Sequence, residues 1–519
     1  MCLEAESKKV VLWTAVVLLL AVLIRVFYFF QFKNTPFFLP IENSLDPQLY
    51  IQWAQRIAAG DWIGEGVFPG MPLYAYFLGV LFVVFKNSII AAILVQLILS
   101  AFNCVLIFFI AKRLFNIKIA VIAGIISCVY APFLFNDTLI TSSILITFLN
   151  CLAIYLLLSF ENKKSLSCII FCGITLGLAA LARATVLMFL PFIALWIIFA
   201  FKELRITKRF FFCAILTLSV FIVIIPITIR NYLITGEKVL ITSYGGINFY
   251  IGNNPSADGR FSPPKGMRAD SEGLLEDSRK IAEKILGKEL TLTQASNFWV
   301  QNTKELITEN PFNFLRALTK KFCYFWSVYE IPDVLDFYFI KKYVPMLRLP
   351  LFSFMIIGPL GLLGLVLSLN KSRKAIIIYF FLVSYIGAIM MFFINSRYRL
   401  TVTPIMIIFS AFALDKIFTS LKSKKYNLLK KQMFILLGFV IFTNLPIEKS
   451  DYAVSYNNLG LALIRDGKLE ASEKAFLKAL EIKPVYAVAY NNLGNIYYRQ
   501  NKMDKAKEFF EKAFSLNPE

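Results

Sequence analysis

A chain of 519 residues that is 58% hydrophobic and only 17% charged is too apolar to be a set of soluble domains. Its net charge of +21 would suggest nucleic acid in a soluble protein. Here most Lys and Arg lie in short clusters between apolar runs, where the positive-inside rule expects cytoplasmic loops, so no nucleic-acid partner is expected.

The first run, Val10 to Phe30, follows Lys8 and Lys9, lacks a small-residue cleavage site after it and reads as an uncleaved membrane span. Further runs long enough to cross lipid lie at roughly 88–110, 119–136, 139–159, 165–182, 185–201, 210–229, 350–369, 375–394, 400–417 and 432–446, eleven spans with the first. The run 71–86 is short and carries Pro69, Gly70 and Pro72 at its start. As an interfacial helix it leaves the basic clusters at 112–118, 163–164, 202–209, 371–374 and 416–431 all inside; as a span it inverts them. The first choice puts 32–87, 231–349 and the chain from about 447 outside, with the tips around Asp137, Arg183 and Asn395–Arg399.

The first outer segment holds SLDPQLYIQWAQRIAAGDW, 44–62. Asp46 before Pro47 suits an N-cap followed by proline at the first helical position, and Leu49, Trp53 and Ile57 share a face fit for the bilayer surface. By spacing alone Asp46 is then only a cap. Arg183, Arg397 and Arg399 read either as arginines snorkelling to the interface or as ligands of a lipid phosphate, which a guanidinium meets bidentately. In ITSYGGINFYIGNNPSADGRF, 241–261, the glycines with Asn253 and Asn254 supply turns and left-handed positions, and the asparagines offer groups for sugar hydroxyls or phosphate. Intramembrane polar residues, such as Gln96 and Asn103, are few, and no charged midplane or helix repeat of a transporter is read.

No histidine is present, which removes the commonest neutral base and metal ligand, and seven of the eight cysteines lie at the N-terminus or in apolar runs. Neither a disulfide framework nor a cysteine metal pair is expected. The chain ends in a repeat of period 34: AVSYNNLGLALIRDGKLEASEKAFLKALEIKP (453–484) aligns with AVAYNNLGNIYYRQNKMDKAKEFFEKAFSLNP (487–518). Tyr456/Tyr490, Gly460/Gly494, Phe476/Phe510 and Ala479/Ala513 hold the tetratricopeptide places, Ser472 against Ala506 being the mild departure. Two repeats bury little core and are expected to lean on the outer loops, a partner or a second copy; they imply protein binding.

Asp46 with Tyr50 and Ala54, FPGMPLYAYFLG (68–79), KRLF (112–115), LARATVL (181–187), RNYLITGEKVLITSYGGINFYIGNNPSADG (230–259) and RYRLTVTPIMI (397–407) together resemble the GT-C class of membrane glycosyltransferases, in particular the protein mannosyltransferase-like and aminoarabinose-transferase-like family. The resemblance covers roughly 10–446 and implies an all-α transmembrane bundle, residues 1–446, followed by a repeat pair, 451–519. It further implies a polyprenyl-phosphate sugar as co-substrate, Asp46 as catalytic residue and Asp137 as a second acid. Tyr50, Asn253 and Asn254 fall in its matching segments, and Arg183, Arg397 and Arg399 would face the phosphate. Many relatives carry Asp-Glu where this chain has Asp46-Pro47, and some bind a metal through histidine; here no divalent metal is expected. The expected setting is the cell (inner) membrane with the N-terminus cytoplasmic and the large loop and repeats extracytoplasmic. A surface-polysaccharide ligase or polymerase, and a membrane scaffold or transporter recruiting partners through its repeats, are the alternatives.

Overall fold

The computed structural model describes residues 2–41, 45–68, 70–268, 271–369 and 375–516, all-helical without a strand among them. The basic cluster at 371–374 lies outside the described residues. The N-terminal half runs α1 (Cys2–Lys33), α2 (Leu45–Ala58), α3 (Pro72–Phe85), α4 (Ile89–Leu114), α5 (Ile117–Cys128), α6 (Ala131–Asp137), α7 (Ser143–Lys163), α8 (Leu166–Ala182), α9 (Leu190–Ala200) and α10 (Ile206–Thr235). Among the described residues five helices are long and apolar enough to cross a membrane (Glu6–Lys33, Ile89–Leu114, Ser143–Lys163, Ile206–Thr235 and Thr403–Lys422), and six shorter apolar helices accompany them.

Local chemistry sets many boundaries. Ser88 caps α4 by accepting from the Ala91 amide at 3.2 Å, and Asn116 caps α5 through Ile119 at 3.1 Å. Pro72 opens α3 and Lys86 ends it in the left-handed region. At 14 residues α3 rises about 21 Å, less than the ~30 Å hydrocarbon core, and it packs along α2. The expected span 119–136 is two helices, because Pro132 restarts the chain as α6 after a break at Val129–Tyr130. Likewise 185–201 opens with a 3₁₀ turn, Ala184–Phe189, before α9.

The large outer segment contributes α11 (Gly245–Asn253), α12 (Ser271–Leu286), α13 (Leu292–Glu309), α14 (Pro311–Trp326) and the short α15 (Phe337–Ile340). Residues 245–253 are thus helix, not the glycine-directed turns expected there, and none of Gly245, Gly246 and Gly252 has a positive φ. The glycines serve close approach: a Cβ on Gly246 would overlap the Ser296 backbone and one on Gly252 the Phe392 backbone. Then follow α16 (Phe354–Ser368), α17 (Ile376–Met390), α18 (Ser396–Arg399), α19 (Thr403–Lys422) and α20 (Tyr426–Thr443).

Two ion pairs join basic clusters two by two. Lys118 meets Asp415 at 2.8 Å and Lys164 meets Glu203 at 2.6 Å, joining regions expected on the same side. Several residues expected outside are tied together in a separate cluster, as described below.

The repeats form the hairpins α21 (Ala453–Arg465) with α22 (Leu469–Ile482) and α23 (Ala487–Arg499) with α24 (Met503–Leu516). Gly460 and Gly494 sit against the Phe476 and Phe510 rings, where a Cβ would collide, as the period-34 pattern requires. The array leans on the outer loops. Ala462 joins a core with Phe37, Ile41, Phe337, Phe339 and Ile340, onto which Tyr452, Tyr456 and Leu459 pack. Arg465 donates to the carbonyls of Leu39 and Pro36 at 2.8 and 2.7 Å, and Lys342 lies 4.4 Å from the Tyr452 ring centroid.

Candidate functional site

The first turn of α2 carries Asp46. The helix begins at Leu45, two residues before the expected first helical position at Pro47, so Asp46 stands inside the first turn instead of at the cap. Its carboxylate reaches across the chain to Arg397, whose Nη1 lies 2.6 Å from Asp46 Oδ2. The same guanidinium turns its Nε to Asp333 Oδ2 at 3.0 Å, so Arg397 bridges two carboxylates. Asn395 builds this geometry from both sides. Its Oδ1 caps α18 by accepting from the Tyr398 amide at 3.0 Å, and its Nδ2 donates to Asp333 Oδ1 at 2.6 Å.

Arg183 follows α8 in extended conformation and stacks on the Tyr398 ring, 4.0 Å from its centroid, while Arg397 flanks that ring at 5.8 Å. Burial holds the Asp333 carboxyl above its ordinary range, with Arg397 opposing, Asp46 reinforcing and Arg183 opposing more weakly. The two carboxylates outweigh burial at Arg397 and keep it protonated well beyond the usual arginine range. Tyr50, one turn after Asp46, is buried edge-to-face against Tyr74 at 4.8 Å, and burial together with the Asp46 charge pushes its hydroxyl up.

The structure therefore brings together Asp46, Tyr50, Arg183 and Arg397. Arg399 points the other way. It is 3% exposed, pairs with Glu330 at 2.8 Å, donates to the Phe325 and Ser327 carbonyls and stacks on Phe354 at 3.8 Å. Asn253 and Asn254 are spent on local structure. Asn253 donates to the Phe249 and Met391 carbonyls and accepts from Lys321, each at 2.8 Å; Asn254 ends α11 through the Tyr250 and Ile251 carbonyls and Ser256.

Asp137, expected at an outer tip, is buried. It is 1% exposed and paired with Arg25 at 2.8 Å, with Ser100 donating to its other oxygen at 2.8 Å. Arg25 lies inside the first apolar helix and was not singled out beside Gln96 and Asn103. Gln96 donates to the Asp137 and Leu139 carbonyls and accepts from Tyr74, so a polar chain runs from this pair to the ring that packs on Tyr50.

Asp333, Glu330 and Asn395 were missed as site residues. The signal for the two acids was WSVYEIPDVLDF, 326–337, with Glu330 and Asp333 around a proline inside an outer segment. Arg25 was legible as the one arginine in an apolar run. No group of three or more His, Cys, Asp or Glu among the described residues suits a metal ion, and the carboxylates that do converge are already bridged by Arg397.

Residues 69–229 match the family model described as dolichyl-phosphate-mannose-protein mannosyltransferase, and residues 451–519 match the tetratricopeptide repeat. Both bear out the resemblance drawn from the sequence. Among solved structures the chain is similar to the oligosaccharyltransferase AglB of Archaeoglobus fulgidus, solved with an inhibitory peptide and a dolichol-phosphate, at 13% identity and a TM-score of 0.46 over 96% of this chain. It spans 59% of that protein's length. It is also similar to ArnT of Cupriavidus metallidurans bound to undecaprenyl phosphate, at 12% identity and a TM-score of 0.38, over 80% of this chain and 79% of that one. No curated protein sequence matches the chain.

Proposed function

We propose that the protein is a polytopic membrane glycosyltransferase that moves a sugar from a polyprenyl-phosphate donor to a hydroxyl-bearing acceptor on the extracytoplasmic face. The observation that carries this reading is the bridge Asp46–Arg397–Asp333 with Arg183 beside it, carboxylates and guanidiniums gathered in one cluster. The family match over 69–229, which includes Asp137 and Arg183, supports it.

In this reaction the acceptor oxygen bonds to the anomeric carbon as its proton passes to Asp46, which is 28% exposed at its side chain and so reachable. The bond between the anomeric carbon and the phosphate oxygen breaks, its electron pair leaving with the lipid phosphate. Arg183 and Arg397 neutralise the charge that develops there. Arg397 also fixes Asp46, and the displacement uses no metal. Asp137 acts at one remove: paired with Arg25 and Ser100, it holds the α6–α7 corner beneath Tyr50. The basic clusters face the cytoplasm, and the repeats hold a protein partner at the outer surface.

The test uses the full chain in proteoliposomes with a panel of polyprenyl-phosphate-[³H]hexoses and a membrane extract of the source cells that supplies the hydroxyl acceptor, following label passing from the lipid fraction to that acceptor. Label is released by the native protein and retained with Asp46→Asn. No release by the native protein, or equal release by the variant, overturns the reading.

A further inference from the structure

The helix α14 (Pro311–Trp326) is held by the rest of the protein at one end only. Its buried residues, Lys321, Tyr324, Phe325 and Trp326, all lie toward its C-terminus, and none before Lys321 is buried. Three contacts fix that end. The Val328 amide just beyond it donates to the Thr443 carbonyl at 3.0 Å, the Phe322 and Phe442 rings lie 6.0 Å apart, and the Trp326 ring lies 6.4 Å from that of Phe354.

The unsupported part carries a stripe of apolar side chains. Phe312 is 74% and Leu315 59% exposed, and Phe322 continues them at helical spacing. Arg316 and Lys320 stand exposed beside the stripe, and among the described residues neither forms an ion pair. The helix contains no acid. At 16 residues it rises about 24 Å, short of the ~30 Å hydrocarbon core, and with Arg316, Lys320 and Lys321 along it α14 does not cross lipid.

Continuity says what covers the stripe. α20 exposes Phe434, Leu437 and Ile441 along one side, the pattern of a helix facing lipid, and α14 meets the body at Thr443, the last residue of α20. An apolar stripe that starts where a lipid-facing helix ends, flanked by unpaired cations on long stems, matches the surface of the same bilayer. We propose that α14 lies on the leaflet where α20 ends, with Phe312, Leu315 and Phe322 sunk among acyl chains and Arg316 and Lys320 on anionic phospholipid headgroups. It thereby ties the α11–α14 segment to the membrane surface. This needs only that the apolar helices span a bilayer and is independent of the transferase reading.

The experiment is hydrogen–deuterium exchange of the full-length protein in nanodiscs, read by mass spectrometry on peptides from 311–322. Exchange there is about thirtyfold slower in discs containing phosphatidylglycerol than in phosphatidylcholine alone, about fivefold for each of the two bases. The double variant Arg316→Gln, Lys320→Gln exchanges alike in both lipids, and it keeps the native melting temperature because both side chains are exposed and unpaired. Phe312→Ser exchanges faster than the native protein in the phosphatidylglycerol discs. Equal exchange of the native protein in the two lipids overturns the proposal and leaves the stripe to a protein partner. Slowing that survives in the double variant, or a Phe312→Ser variant that exchanges as the native protein does, overturns it too. So does slowing by undecaprenyl phosphate in neutral discs without slowing by phosphatidylglycerol, which would assign the two bases to that lipid instead.

Discussion

Asp46 and Arg397, 351 positions apart in sequence, form a 2.6 Å ion pair, and the same guanidinium contacts Asp333 at 3.0 Å. Asp46 thus points into a shared cluster instead of serving its own helix. Arg397 is the hub, at 10% side-chain exposure.

Removing that hub leaves two carboxylates facing each other. Arg397→Ala is expected to cost about 3–5 kcal/mol, the range for orphaning a buried charge, and Asp333→Asn in that background recovers part of it. Thermal unfolding of the single and double variants in detergent measures both. Additive losses would mean that Arg397 and Asp333 do not interact.

The Arg25–Asp137 pair supports the site from inside the bundle. Arg25→Met strands the Asp137 carboxylate and destabilises the protein by about 3–5 kcal/mol, whereas Arg25→Met with Asp137→Leu restores most of the stability. Because Asp137 is proposed to position the α6–α7 corner and not to exchange protons, the double variant keeps measurable transfer. A folded double variant with none assigns Asp137 to the chemistry.

Lys321 supplies a pH signature. It is 0% exposed, donates to Asn253 Oδ1 at 2.8 Å and the Met390 carbonyl at 3.1 Å, and burial pulls it down to about 7 from an ordinary 10.5. Between those values the unfolded chain binds the proton that the folded one releases, so stability rises with pH through the window and is flat below about 7. Lys321→Met removes this slope from the melting temperature measured between pH 7 and 9. A slope that persists in the variant belongs to other groups.

The repeats are built into the helical body. Deleting 451–519 uncovers Phe339, Ile340 and their neighbours and frees the 36–40 loop that Arg465 holds just upstream of α2. Large apolar side chains lose about 1.5–3 kcal/mol each on exposure, so the truncated protein melts lower and aggregates. An unchanged melting temperature would show the repeats to be an independent appendage. Arg465→Ala, which breaks only the loop contacts, shifts the melting less.

What was legible in the sequence was periodic or punctuated. The apolar runs, the 34-residue repeat and the gathering of Asp46, Arg183 and Arg397 at one end all follow from patterns along the chain. What was not legible depends on how helices converge. Whether Arg399 faces the site or Glu330 is decided by the rotation of a four-residue helix, and Asp333 enters only because Asn395 both caps that helix and binds the acid. The glycines of 245–252 resemble turn residues locally, but their neighbours are backbones distant in sequence.

The most direct measurement is mass spectrometry of surface glycans from cells carrying the native protein, Asp46→Asn at matched expression, or neither. The account predicts a hexose or pentose mass increment present only with the native protein, Asp46→Asn matching its absence because the base contributes about 10²–10⁴-fold. An increment equally abundant with Asp46→Asn would contradict it.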